Sequence, residues 1–343
     1  MKTGEKVEGV GERTAAGVSQ RLSWISKLPP VLGPTAVPLK APAIMIIILS
    51  AVMVWAAPGF FKVGNLRAIA LDASIIMLLG VGMTTVITVR GIDLSIGAVL
   101  ILSSVVLAAA IKDFAIPVPI AIALCLFTGC ACGFINGILV TKLRMPDFIV
   151  TLSTELVFRG LALIYAGGAV FFGFPDIIKF FGRGRIIGIP MPILLSLLIV
   201  VLGHVIFAFH KVGYRLHAVG GNPTAARRFG VNVDYYRIGS YVIMGFLAAL
   251  GGLVLTGRLD AVVATGAISL LLNTIAAVIV GGTHLFGGRG SIVGTFLGST
   301  LLAMIVNAVV LLGFEAFWQH VAAGAVILIT IGLYSRRGTK IEA

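Results

Sequence analysis

Apolar residues run through this chain in long unbroken stretches, and the polar positions are confined to gaps between them. The stretches lie near residues 41 to 58, 68 to 89, 96 to 111, 116 to 141, 148 to 166, 191 to 209, 238 to 256, 264 to 283, 291 to 312 and 319 to 334. A helix needs roughly 20 apolar residues to cross the hydrocarbon of a bilayer, and several stretches reach that length. The pattern predicts an all-α, polytopic transmembrane bundle of about ten helices. Its weakest members are the short third stretch and the one around Asn273, each of which the sequence allows to be broken or re-entrant. Irregular backbone at membrane depth is tolerated only where protein or a water-filled path covers it.

Composition agrees. Of 343 residues 59% are hydrophobic and 11% charged, with 43 glycines, too little charge to cover a water-soluble surface. The net charge of +13 is scattered between apolar runs and not gathered on one face, which excludes nucleic acid as a partner and suits charges that set topology. With the N-terminus in the cytoplasm, 18 Lys and Arg fall in inside segments against 7 outside, so both termini are expected to be cytoplasmic. Residues 1–40, polar and carrying Pro29, Pro30, Pro34 and Pro38, read as a flexible cytoplasmic arm without the pattern of a signal peptide. Residues 41–337 form one transmembrane domain with a long cytoplasmic loop at 210–236, and 338–343 a short tail. Cys125, Cys130 and Cys132 share one apolar run without metal-ligand partners and read as packing residues.

Gly129, Gly133 and Asn136 in the fourth stretch echo Gly294, Gly298 and Asn307 in the ninth, which runs the opposite way. Two readings stand: an inverted repeat of the kind transporters use, or small residues that let helices approach.

Four places carry candidate chemistry. In Gly91-Ile92-Asp93-Leu94-Ser95 a glycine permits a turn, and Asp93 or Ser95 can accept from the free amides that open the next helix. A carboxylate in such a break either caps a helix or lines a pathway, and one residue can do both. Asp147, Thr151, Glu155 and Arg159 recur every four residues and share one narrow helix face, where Glu155 and Arg159 can neutralise each other, as a packing ion pair or on a solute path. In the loop, Asn222 can cap a helix with Pro223 in its first turn and Gly230 ending it, a two-turn stub outside the membrane that suits docking. Gly281 to Ser291 is glycine-rich but lacks the lysine of a phosphate loop, so it reads as a tight turn.

Read in order, Gly91-Ile92-Asp93-Leu94-Ser95-Ile96-Gly97, then Asn222-Pro223 with Ala225-Ala226-Arg227 and Gly230-Val231, then Ile275 to Gly282 leading into Gly287-Gly288-Arg289-Gly290-Ser291, the chain resembles the ribose-type sugar permeases of ABC importers. The match runs from about Ala41 to Arg337. The resemblance implies an inner-membrane permease that works as a dimer, receives a sugar from a periplasmic binding protein and is driven by a cytoplasmic ABC ATPase. It implies no enzyme activity and no cofactor on this chain, ATP being used by the ATPase. It places the ATPase-coupling helix on Asn222, Pro223, Ala225, Ala226, Arg227 and Gly230. The expected translocation path or gate comprises Asp93, Ser95, Asn136, Thr151, Glu155, Arg159, Asn273 and Asn307. The chain departs from the family pattern at Leu271, Leu272 and Asn273, where Glu-Leu-Asp is usual, at Arg90, where a glycine is usual, and at Asp147, commonly apolar. These changes leave the solute open and suit one half of a heterodimer. A permease for branched-chain amino acids or nucleosides shares the same logic. A secondary transporter would need an ion relay and no docking helix.

Overall fold

The computed structural model describes residues 39–315, 317–319, 321–326, 328 and 332. Nine of the ten predicted stretches are helices there: α1 (Lys40–Ala56), α2 (Val63–Thr88), α3 (Ile96–Lys112), α4 (Val118–Thr141), α5 (Asp147–Ala166), α7 (Met191–Phe209), α10 (Val233–Leu259), α11 (Ile268–Val280) and α12 (Ile292–Leu311). Among the described residues six of these, α2, α4, α5, α7, α10 and α12, are long and apolar enough to cross a membrane. The tenth stretch is described only in part, at 319, 321–326, 328 and 332, and the predicted arm lies almost wholly, the tail wholly, outside the described residues. Side chains such as Trp55, 90% exposed, and Ile164 point outward, as they can in lipid but not in water.

The core is built on two long helices. The 26 residues of α2 and the 27 of α10 each span about 40 Å, and they pack against each other. Around them the packing falls into two matching sets. Helices α3 and α4 pack on each other and both on α10, while α11 and α12 pack on each other and both on α2. Close approach depends on missing side chains: a Cβ at Gly133 of α4 would overlap the Tyr241 carbonyl of α10, and one at Gly298 of α12 the Ala277 carbonyl of α11. The echoed glycines therefore meet different partners, α10 in one case and α11 in the other. All four echoed glycines sit at close helix contacts, and the two matching helix sets are a separate observation.

Neither of the two weakest stretches is broken within itself: the third is one continuous helix, and Asn273 lies inside another that is short. Helix α11 has only 13 residues, about 20 Å, and is entered through a strand, β4 (Ala261–Val263), that pairs antiparallel with β1 (Val170–Phe172) so that Val170 faces Val263. The strand supplies partners for backbone that no helix satisfies at that depth. Three short elements lie outside the ten stretches: α6 (Asp176–Arg183), a small hairpin of β2 (Arg185–Ile186) and β3 (Ile189–Pro190), and α8 (Lys211–Gly221), which is followed by the expected stub α9 (Pro223–Arg228). Three glycines depress the helix propensity of α8, and burial of Leu216, His217 and Val219 overrides it.

The sidedness of the loops agrees with the charge count. β1 and α6 meet β4 and the end of α10, so the 167–190 and 260–267 segments share one side. At the other side Asp234, in the first turn of α10, takes Lys142 from the end of α4 and Arg227 from α9, each at 2.8 Å.

Gly133→Val should force α4 and α10 apart and destabilise the protein by roughly 1–3 kcal/mol. Gly160→Val, at an open position on α5, is the control. A detergent melting experiment in which both variants melt with the wild type would show that the close approach contributes nothing.

Candidate functional site

Between Thr88, the last residue of α2, and Ile96, the first of α3, the chain leaves helical geometry inside the bundle. The left-handed residue of this break is Arg90, φ 65°, and not the glycine that the sequence suggested. Gly91 is required for space instead: a Cβ there would stand 2.8 Å from the Tyr241 hydroxyl and 2.9 Å from Val86 Cγ1. A left-handed arginine costs roughly 1 kcal/mol. Its guanidinium offsets that cost by donating from Nε to the Gly220 carbonyl and from Nη2 to the Gly221 carbonyl, which close α8. Positive charge at the carbonyl end of a helix also suits its dipole.

Three neighbouring helices satisfy the next polar groups of the break. The Ile92 amide donates to Asp147 Oδ2 of α5 at 2.7 Å, and the Ile92 carbonyl accepts from Thr151 Oγ1 at 3.2 Å and from the Tyr241 hydroxyl of α10 at 3.4 Å. Asp93, only 2% exposed, accepts from both the amide (2.8 Å) and the hydroxyl (2.6 Å) of Ser95. Asn136 of α4 donates to that hydroxyl at 2.8 Å, while its own Oδ1 is buried without a partner among the described residues. A relay of two donors thus runs from Asn136 through Ser95 to the carboxylate, which organises the first turn of α3.

One turn further along the same face of α5, Arg159 Nε donates to Glu155 Oε1 at 2.6 Å, with both side chains 16% exposed. The guanidinium also reaches the Gly266 carbonyl at 3.3 Å, and a Cβ at Gly97 in the first turn of α3 would stand 3.2 Å from the Ala267 carbonyl. The starts of α3 and α11 therefore meet beside this ion pair. Beyond them opens a cavity of about 550 Å3 whose lining includes Gly266, Ala267, Asn273, Asn307, Asp72 and Arg258. Asp72 of α2 and Arg258 of α10 pair across it at 2.7 Å, and Asn307 exchanges two 2.9 Å bonds with Asn65.

All eight expected path residues therefore fall on one polar column: Asp93, Ser95, Asn136 and Thr151 at the break, Glu155 and Arg159 next to it, Asn273 and Asn307 in the cavity. The structure adds Tyr241, Asp72 and Arg258. Asp72 was legible as a lone carboxylate in an apolar run; Tyr241 and Arg258 carried no signal that separates them from other residues of a long helix.

At the other end, α9 forms as its sequence specifies. Asn222 Oδ1 accepts from the Ala225 amide at 3.0 Å, Pro223 occupies the first turn and Gly230 follows with φ 79°. Of the residues expected to contact an ATPase, Ala226 is 5% exposed and packs inward, and Arg227 is held by Asp234. Exposed beside the expected Asn222, Arg227 and Gly230 are Thr224, Arg228 and Phe229, the last 87% exposed and missed by the sequence reading. Behind the stub His217 of α8 donates Nδ1–H to the Gly288 carbonyl at 3.2 Å, and burial holds its imidazole below the usual range, hence neutral. Gly288 belongs to the expected tight turn, in which the His284 amide also bonds the Arg289 carbonyl at 2.9 Å. Among the described residues no cluster of His, Cys, Asp and Glu is arranged to hold a metal ion.

Residues 65–331 match the family model described as the permease component of the branched-chain amino acid transport system. The chain is similar to the ribose import permease protein of Haemophilus influenzae, 36% identical over 87% of this chain and 93% of that one. It is similar also to the ribose import permease protein of Bacillus subtilis, 41% identical over 80% and 85%, and to the fructose import permease protein of Rhizobium meliloti, 32% identical over 88% and 85%. No solved structure is significantly similar to the chain.

Asp93→Ala should leave the Ser95 amide and hydroxyl without an acceptor and destabilise by about 1–3 kcal/mol. Asp93→Asn keeps an accepting oxygen and should melt close to the wild type; equal losses in both variants would show that the charge, not the cap, matters. For Glu155 and Arg159, each single truncation should lower the melting temperature more than the double variant does, with a coupling of about 1 kcal/mol. Strictly additive losses in that cycle would mean the two residues act independently.

Proposed function

The chain belongs to the family of permease components of branched-chain amino acid transport systems and their relatives, and we propose that it is the transmembrane permease of an ATP-driven ABC importer for a sugar. Relatives that match most of the chain are named for ribose and fructose import, which favours a sugar over a branched-chain amino acid or a nucleoside. The observation that carries the reading is α9: a capped two-turn helix outside the membrane domain, packed inward through Ala226 and tied to Asp234 through Arg227, with Arg227, Arg228 and Phe229 exposed. A permease without a phosphate-binding lysine loop needs such a surface, because the energy comes from another subunit. A secondary transporter has no use for it.

In this reading the chain is a multi-pass protein of the inner membrane with cytoplasmic termini, binds no cofactor, and performs no chemistry on the solute. Its partners are a cytoplasmic ABC ATPase, a periplasmic sugar-binding protein and a second permease copy or paralogue. ATP closing the ATPase dimer and docking of the loaded binding protein each bias the permease between outward-facing and inward-facing states, and each can do so only by its differential affinity for the two. The polar column supplies the path or its gate. Its cavity carries neutralised charge, Asp72 against Arg258, and amide groups, Asn273 and Asn307, a lining that suits the hydroxyl groups of an uncharged sugar. The two matching helix sets around α2 and α10 support an inverted repeat, in which the short α11 corresponds to α3 and each begins at an irregular segment at depth.

Phe229→Asp should remove an aromatic anchor worth 2 kcal/mol or more, lowering ATP-driven uptake of labelled D-ribose or D-fructose into proteoliposomes about thirtyfold while the permease still folds. Undiminished uptake would remove the docking assignment. Uptake of leucine in preference to either sugar, with the cognate binding protein present, would replace the sugar reading by the amino-acid one.

A further inference from the structure

We propose that Arg90 is the positioning residue that ties the docking stub to the α2–α3 break, so that a displacement of α9 reaches the buried Asp93 cluster through one side chain. The inference rests on α9 being the element that contacts the ATPase.

Arg90 sits between the two parts. Its guanidinium bridges the carbonyls of Gly220 and Gly221, the two residues immediately ahead of Asn222, the cap of α9. It therefore grips the chain at the junction from which α9 departs. On its other side only Gly91 and Ile92 separate it from Asp93, and both are fixed: Gly91 by the Val86 carbonyl, Ile92 by Asp147, Thr151 and Tyr241. A linkage this short with both ends held has little slack. A planar guanidinium spanning two successive carbonyls also resists rotation, which a single ammonium cannot do.

The surrounding contacts make the junction one unit. The Gly288 amide donates to the Thr88 carbonyl at 2.9 Å, His217 bonds the Gly288 carbonyl, and Gly220 lies so close to Thr88 that a Cβ would overlap the Thr88 carbonyl. The end of α2, the end of α8 and the glycine turn thus move together or not at all, and the arginine supplies the charge-assisted bonds among them. The backbone argues in the same direction. An arginine that merely filled a turn would have no reason to adopt φ 65°, where glycine is unstrained. Replacement by glycine relieves the backbone and removes the grip, so stability and transmission respond differently.

The test uses the complete complex with its ATPase in lipid nanodiscs, with ATP and orthovanadate as the trapping probe. Backbone hydrogen–deuterium exchange is read at residues 222–230 and 88–95. In the wild type trapping should alter exchange in both segments. In Arg90→Gly the response at 222–230 should persist while the response at 88–95 falls about fivefold or more, and Arg90→Lys should be intermediate. A full response at 88–95 in Arg90→Gly, or none there in the wild type while 222–230 responds, overturns the proposal and leaves the function reading intact. No response at 222–230 in the wild type overturns the function reading itself. If Arg90→Gly does not fold, Arg90→Lys decides: a response at 88–95 equal to that of the wild type overturns the role of the fork.

Discussion

Everything in this fold is arranged around a stretch of backbone that has left its helix inside an apolar bundle. A free amide or carbonyl there costs several kcal/mol, and lipid offers no partner. The seven residues from Val89 to Ser95 therefore draw on α4, α5, α8 and α10 at once: Asn136, Asp147, Thr151, Tyr241 and the closing carbonyls of α8 each reach into the break. Those demands fix which helices must neighbour one another. They also mean that no one of these helices can shift far without disturbing the hydrogen bonds of the others, which is the property a gate needs.

A second irregular segment answers the first. Where α10 gives way to α11, a strand paired with β1 and a left-handed Ala267 carry the chain inward to meet the start of α3 at Gly97. The Glu155–Arg159 pair bridges the two segments, its arginine spending a donor on the Gly266 carbonyl. Two broken connections, related in position across the α2–α10 pair, thus share one ion pair between them. The cavity lies beyond one of them, and the junction of α8 with α9 beside the other.

Periodicity and hydropathy made the long helices legible because a bilayer imposes a length, and that length is visible as an apolar run. The stub α9 was legible for a different reason: Asn222, Pro223 and Gly230 are local signals that act within one turn. Helix α8 was not, since three of its eleven residues are glycine and its stability comes from packing against α7 and the Gly288 turn. Among site residues, spacing exposed the stripe on α5, and a lone carboxylate exposed Asp93. Tyr241 and Arg258 were invisible because their roles depend on which helix lies opposite. Ala226 and Phe229 show the same limit at one position: the sequence marks a short helix, but only its placement says which residue faces in and which faces out.

The departures from the permease pattern sort by location, and this bears on what changed in this chain. Arg90 and Asp147 both act on the same short backbone, one gripping the end of α8 and the other taking the Ile92 amide. They introduce opposite charges on either side of the Gly91–Ile92 step, and each adds a charge-assisted bond where a glycine or an apolar residue could add none. Their joint effect is to pin the break to its neighbours, so it concerns how readily the gate moves. Asn273, which stands where the resemblance would place an acidic residue, is different: it lines the cavity, and the charges there, Asp72 and Arg258, neutralise each other. The two sets therefore act at separate places: Arg90 and Asp147 on the backbone of the break, Asn273 on the lining of the cavity.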